Sequence, residues 1–257
     1  MKKLPRHIEN KFYDTIFGKV NLEEFESWVY SDKEIESIFS EDEYLELISF
    51  NYKKNGAKYE LVNLLTDKYI DLGEYEKWKM LNLLYSAKNK NEELPDILRQ
   101  FYDLYCRGYI FLNDLGLGYG LTVEVPASSN YKVETWEEMS ETEKIELLES
   151  FYPQLQSDIE RTISWIENGK IIFSGTTNEI SQYEYEDLRT EEERKSTVWT
   201  EVERDDKSSW SVKENNLKIA NEEKHPTTIY KNNGGSIGDL KINPIHSFWS
   251  KLKSLWQ

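Results

Sequence analysis

Three short patterns in this sequence carry residue types that chemistry uses. Gly234-Gly235-Ser236-Ile237-Gly238 fits the G-x-S-x-G spacing that raises a serine on a sharp strand-to-helix turn, with Asp239 and His246 close by. Its surroundings argue against that use. "KNN" precedes it and "DLKINP" follows, and only about 20 residues remain to supply the acid and base, which in an elbow come from separate later elements. A glycine turn is the expectation. Gly116-x-Gly118-x-Gly120 invites a phosphate-loop reading, but a dinucleotide fingerprint places its glycines as G-x-G-x-x-G at the opening of a helix, and here "LTVEVP" reads as strand. No Walker lysine follows, so the glycines are expected in a hairpin turn that needs positive φ. The three histidines, His7, His225 and His246, are far apart, with no H-E-x-x-H and no cysteine pair, so neither a metal site nor a cofactor is expected.

Cys106, in "LYCRGY", is the single cysteine, which excludes an intramolecular disulfide and fits a reducing, cytoplasmic location. Flanked by aromatics on a helix, it is expected in the core. Paired carboxylates recur at Glu23-Glu24, Glu41-Asp42-Glu43, Glu92-Glu93, Glu137-Glu138 and Glu191-Glu192-Glu193. General acid–base work needs one carboxyl held in an apolar or charge-coupled pocket, and repetition on this scale reads instead as solvated helix faces. No catalytic residue is assigned.

The elements that position these residues are largely helical. Asn21 with Glu24, Ser31 with Glu34, and Ser40 with Glu43 place a short polar residue three positions before a glutamate, the spacing of a reciprocal helix cap. Apolar stripes follow each: Leu22, Phe25, Trp28 and Val29; Ile35, Ile38 and Phe39; Tyr44, Leu45, Leu47 and Ile48. Three further stripes run to Arg107, so residues 8–107 are expected to be all-helical. "GYIFLNDLGLGYGLTVEVPASSNY" then reads as a glycine-rich hairpin. Helix resumes after Thr135 and Ser140, each with a glutamate three residues on, and breaks at Pro153; "KIIFSG" reads as a short strand.

The expected fold is mainly α with a smaller α+β part, an irregular helical bundle followed by a hairpin, helices and short strands. Its divisions are an acidic helical domain at 1–107, an α+β domain at 108–200 and a polar C-terminal segment at 201–257; from about Glu201 the chain reads either as an edge of the second unit, with short strands such as "STVWTEV" and "TTIY", or as a loosely ordered tail. The closing "HSFWSKLKSLWQ" carries an apolar helical stripe expected to pack back onto its own domain.

Charge and composition restrict the job. The 257 residues hold 48 acids and 32 bases, a formal charge of −16, which opposes a nonspecific grip on nucleic acid and favours a basic protein partner. Residues 127–199 carry 17 acids against 7 bases, whereas 200–257 carry 8 against 9, so the acidity precedes the tail. Eight Trp, 17 Tyr and 10 Phe supply large apolar surfaces to a chain only 38% hydrophobic. The start, "MKKLPRHIENKFYD", has no apolar run of signal-peptide length, and no segment approaches the roughly 20 apolar residues of a membrane span. A soluble protein is expected.

The stretches "FYDTIFGKVNLEEFESWVYSDKEIE", "DEYLELISFNYK" and "FYDLYCRGYIFLNDLGLGYGL" resemble small cytoplasmic bacterial proteins of the immunity type, encoded beside secreted polymorphic or contact-dependent toxins. The resemblance covers about half of the chain and implies an acidic protein that binds a toxin domain, often a basic nuclease, and occludes its active site. It assigns no contact residues. Charge and aromaticity nominate Glu23, Glu24, Glu26, Trp28, Glu41, Asp42 and Glu43 for the partner surface. Two other function classes stand beside it: an acidic nucleic-acid mimic that inhibits a DNA-binding or defence protein, and a carboxylate-based hydrolase.

Overall fold

Capping starts the helices where short polar residues precede glutamates. Asn21, Ser40 and Ser140 each accept the backbone N–H three residues on, while Glu24, Glu43 and Glu143 reach back to the cap N–H, opening α2 (Leu22–Ser31), α4 (Glu41–Ser49) and α9 (Glu141–Ser150). Two expected caps differ. Ser31 is the last residue of α2, and Asp32 instead caps α3 (Lys33–Ile38), accepting from the Glu34 N–H at 2.9 Å. Thr135 makes no cap bond and precedes only a single 3-10 turn, Trp136–Glu138.

The computed structural model describes residues 3–200, apart from 91 and 130, and the strand 211–212. Around the capped helices stand α1 (Arg6–Phe17), α5 (Ala57–Lys68), α6 (Leu72–Lys88), α7 (Leu94–Cys106) and α10 (Gln154–Glu167). Helices joined by turns and short links make up the described residues of 8–107. Their apolar faces fill two cores. The first is built on Ile8, Phe12, Phe25, Val29, Ile35, Leu47, Leu61 and Leu65, the second on Leu84, Leu98, Phe101, Tyr109, Leu112, Leu155 and Ile166. The division falls within α6, between Tyr75 of the first core and Met80 of the second, so α7 packs with the second core although the sequence grouped it with the preceding helices.

The hairpin expected at residues 108–125 is not formed. A 3-10 turn, Ile110–Leu112, runs into a π-helix, Asn113–Gly120, and a short α8, Leu121–Glu124. None of Gly116, Gly118 and Gly120 has positive φ. They are needed for proximity instead: a Cβ on Gly116 would lie 2.7 Å from the Phe101 carbonyl oxygen, and one on Gly120 would lie 2.3 Å from that of Leu98. The absence of side chains lets the π-helix lie directly on the backbone of α7. "LTVEVP" has β-favouring residues but continues that helical run, burying Val123.

The hairpin lies further on. Beyond Gly169, which leaves α10 with φ +71°, β1 (Ile171–Thr177) pairs antiparallel with β2 (Tyr183–Asp187), Phe173 opposite Tyr185. Asn178 closes the turn by accepting the N–H groups of Ile180 and Gln182. A short α11, Glu191–Arg194, starts at a fourth capping box, Thr190 with Glu193. Within "STVWTEV", β3 (Trp199–Thr200) pairs with β4 (Ser211–Val212). "TTIY", the Gly234–Gly238 pattern, His225, His246 and the terminal apolar stripe lie outside the described residues. Among the described residues, no helix is long and apolar enough to cross a membrane.

Substituting Gly120→Ala should lower stability by about 1–3 kcal/mol, the cost of forcing a methyl into a filled contact. Urea denaturation measures it, and an unchanged midpoint would contradict the close approach to α7.

Candidate functional site

Burial of Phe25 and Val29 in the first core fixes which way α2 faces. Glu23, Glu26, Ser27 and Tyr30, at helical spacing on another face, turn outward. Leu22, Glu23, Glu26 and Ser27 form one wall of an open cleft of about 380 Å³, and Tyr52 and Lys53, beyond α4, form the other. The Tyr52 hydroxyl donates to the Leu47 carbonyl at 2.8 Å, and burial, then the nearby Tyr30 and Glu26, raises its pKa. Tyr30 reaches across from α2 to α4, its hydroxyl donating to the Ile48 carbonyl at 2.6 Å, yet it remains 58% exposed. Leu45 of α4 is 48% exposed.

Electrostatics distinguish the carboxylates of this region. From Asn21 to Leu47 there are ten, against the single cation Lys33. Glu24 and Glu43 are engaged in caps, Asp32 caps α3, Glu34 meets His7 at 3.1 Å, and Glu46 meets Lys68 and the Tyr69 hydroxyl. Among the described residues, Glu23, Glu26, Glu36, Glu41 and Asp42 have no ion pair or side-chain hydrogen bond. Of the seven nominated residues, then, Glu23 and Glu26 share a cleft, Glu41 and Asp42 stand exposed on the first turn of α4, and Glu24 and Glu43 hold helix ends. Trp28 is half-buried, edge-on to Phe12 with centroids 5.9 Å apart, and its indole N–H donates to Asp32 at 3.0 Å. It serves the core more than the surface. Tyr30, off the Leu22–Phe25–Val29 stripe, is the exposed aromatic of α2.

A second constellation is buried. Asp114 of the π-helix and Asp158 of α10 are 4% and 0% exposed, and Arg161, one turn beyond Asp158, reaches both, at 2.7 Å and 2.9 Å. The Tyr119 hydroxyl donates to Asp158 at 2.7 Å and the Gln154 amide at 3.1 Å, while Ser196 and Thr197 close over the carboxylates. Burial raises the Asp158 pKa, and the Tyr119 bond and the Arg161 charge offset this only in part. Arg161 and Arg189 each approach the Trp165 ring, at 5.1 and 4.4 Å, and Arg189 is held by Asp187. This is the raised carboxyl that a hydrolase would need, but Asp158 is fully buried and the α2 cleft has none of the residues around it. The sequence signal was Asp158 itself, on the face defined by Leu155, Ile159 and Ile166.

Cys106, expected in the core, is exposed at the last residue of α7, because the buried side of that helix is formed by Leu94, Ile97, Leu98 and Phe101. Among the described residues, no group of three or more His, Cys, Asp or Glu is placed to hold a metal ion. The chain matches no protein-family model, and no curated protein or solved structure is similar to it.

Because folding raises the Asp158 pKa, the folded protein binds that proton more tightly than the unfolded chain, so the contribution is present at low pH and lost as pH rises through the folded value. The stability of the protein relative to Asp158→Asn should therefore increase as pH falls from about 7 to about 4. Paired urea titrations test this; a relative loss on acidification contradicts it.

Proposed function

We propose that this protein is a non-enzymatic binding protein whose α2–α4 face receives a basic protein domain, of the kind a toxin or nuclease presents, and neutralises it in the cytoplasm. The observation that supports this reading is the set of uncompensated carboxylates, Glu23, Glu26, Glu36, Glu41 and Asp42, on short helices that also expose Tyr30 and Leu45. Carboxylates without an ion-pair partner attract a basic protein, and their field accelerates its approach. Tyr30 and Leu45 add apolar area, and tyrosine is among the residue types that dominate interface energies. The helix caps hold the acids in place before binding, which lowers the ordering cost of association.

Affinity capture from the native lysate at low and high salt, with mass spectrometry, tests it. One basic protein should be retained at low salt and weakened at high salt, and Glu23→Lys with Glu26→Lys should reduce its affinity about 10- to 100-fold. Retention of no specific protein, or retention indifferent to both changes, contradicts the proposal; retention of an acidic-surface-seeking DNA-binding protein would favour nucleic-acid mimicry.

A further inference from the structure

The segment after α11, Ser196–Val198, is held mainly by hydrogen bonds to charge. The Thr197 N–H donates to Asp114 Oδ2 at 3.1 Å, and the Thr197 hydroxyl lies 3.1 Å from that oxygen and 2.9 Å from Asp158 Oδ1. Ser196 donates to the other Asp114 oxygen, and Arg161 donates to the Thr197 hydroxyl at 3.2 Å. One apolar anchor accompanies these bonds. Val198 sits over Gly118, where an added Cβ would lie 3.2 Å from its methyl group, so the glycine forms a notch on the π-helix. All three residues are half-buried, unlike the fully covered carboxylates beneath them.

The neighbouring elements are fastened independently. Arg194 donates to the Asp187 carbonyl, Lys170 pairs with Glu193, and the Thr190–Glu193 box closes α11, so the chain upstream is tied to the hairpin. Asp114 and Asp158 each pair with Arg161 directly, at 2.7 and 2.9 Å, without Thr197 as an intermediary. Lifting Ser196–Val198 therefore uncovers two carboxylates and a guanidinium, which water solvates well, and forfeits the packing of a single valine. Opening α10 would instead expose Leu155, Ile159, Ile163 and Ile166. Segments with few apolar contacts and hydratable bonds occupy the low-stability end of a fold.

We propose that Ser196–Val198 is a strap that opens and recloses as a local unit over the Asp114–Arg161–Asp158 triad while the π-helix and α10 stay folded. Opening admits water to a carboxylate pair that is otherwise sealed, and it frees the covalent link between α11 and β3.

Amide hydrogen exchange of the full chain, read by NMR, tests this. The Thr197 amide should be protected, yet exchange at least about tenfold faster than the Ile163 and Ile166 amides. Asp114→Asn should accelerate Thr197 by about a further tenfold and leave Ile163 and Ile166 unchanged; Val198→Ala, which touches no charge, should act in the same direction. An unprotected Thr197 amide, exchange at the rate of Ile163 and Ile166, or a uniform acceleration of all three by Val198→Ala overturns the proposal. If Asp114→Asn does not fold, the wild-type rates and Val198→Ala decide it alone.

Discussion

The contact on which the second core depends is backbone against backbone. Gly116 and Gly120 bring the π-helix onto α7 closely enough that a methyl at either position would collide with a carbonyl oxygen. That approach sets Asp114 and Tyr119 on the side facing α10, where Arg161 and Asp158 meet them. The buried carboxylates then determine what can lie above them: a segment rich in donors, supplied by Ser196 and Thr197. Each step follows from the one before, because a buried charge without partners is costly and the partners must come from elements already in place.

Surface ion pairs such as Glu46–Lys68 aside, the acids of this chain divide into three groups. Glu24, Glu43, Glu143 and Glu193 satisfy free amides at helix starts, a local use that also suits the positive end of the helix. Asp114 and Asp158 form the interior of an ion triad. Glu23, Glu26, Glu36, Glu41 and Asp42 do neither, and among the described residues they make no ion pair. Caps and core leave that third group unused, and it is this group that the proposed partner surface takes up.

What the sequence made legible was local. Asn21, Ser40 and Ser140 cap helices because a cap needs only its own neighbours, and the stripes of α2 to α7 follow from a periodicity that one element contains. The glycines of residues 116–120 were misread because a glycine serves positive φ and close approach equally well, and the choice lies with α7, which a local pattern does not include. Cys106 was misplaced for a related reason: which side of a helix is covered depends on its neighbours, and the end of α7 that carries it is left uncovered. Of the candidate site, the acidic stretch was legible, the sorting of its members was not, and Tyr30 could have been recognised from the helical wheel.

The central claim is that position, not net charge, makes the α2 carboxylates a binding surface. It is tested most directly by titrating the basic partner, by calorimetry, against two variants of equal charge change. One neutralises Glu23 and Glu26; the other neutralises Glu146 and Glu149, exposed on α9. Affinity should fall for the α2 variant and stay near wild type for the α9 variant. Equal loss in both, or loss in neither, would contradict it.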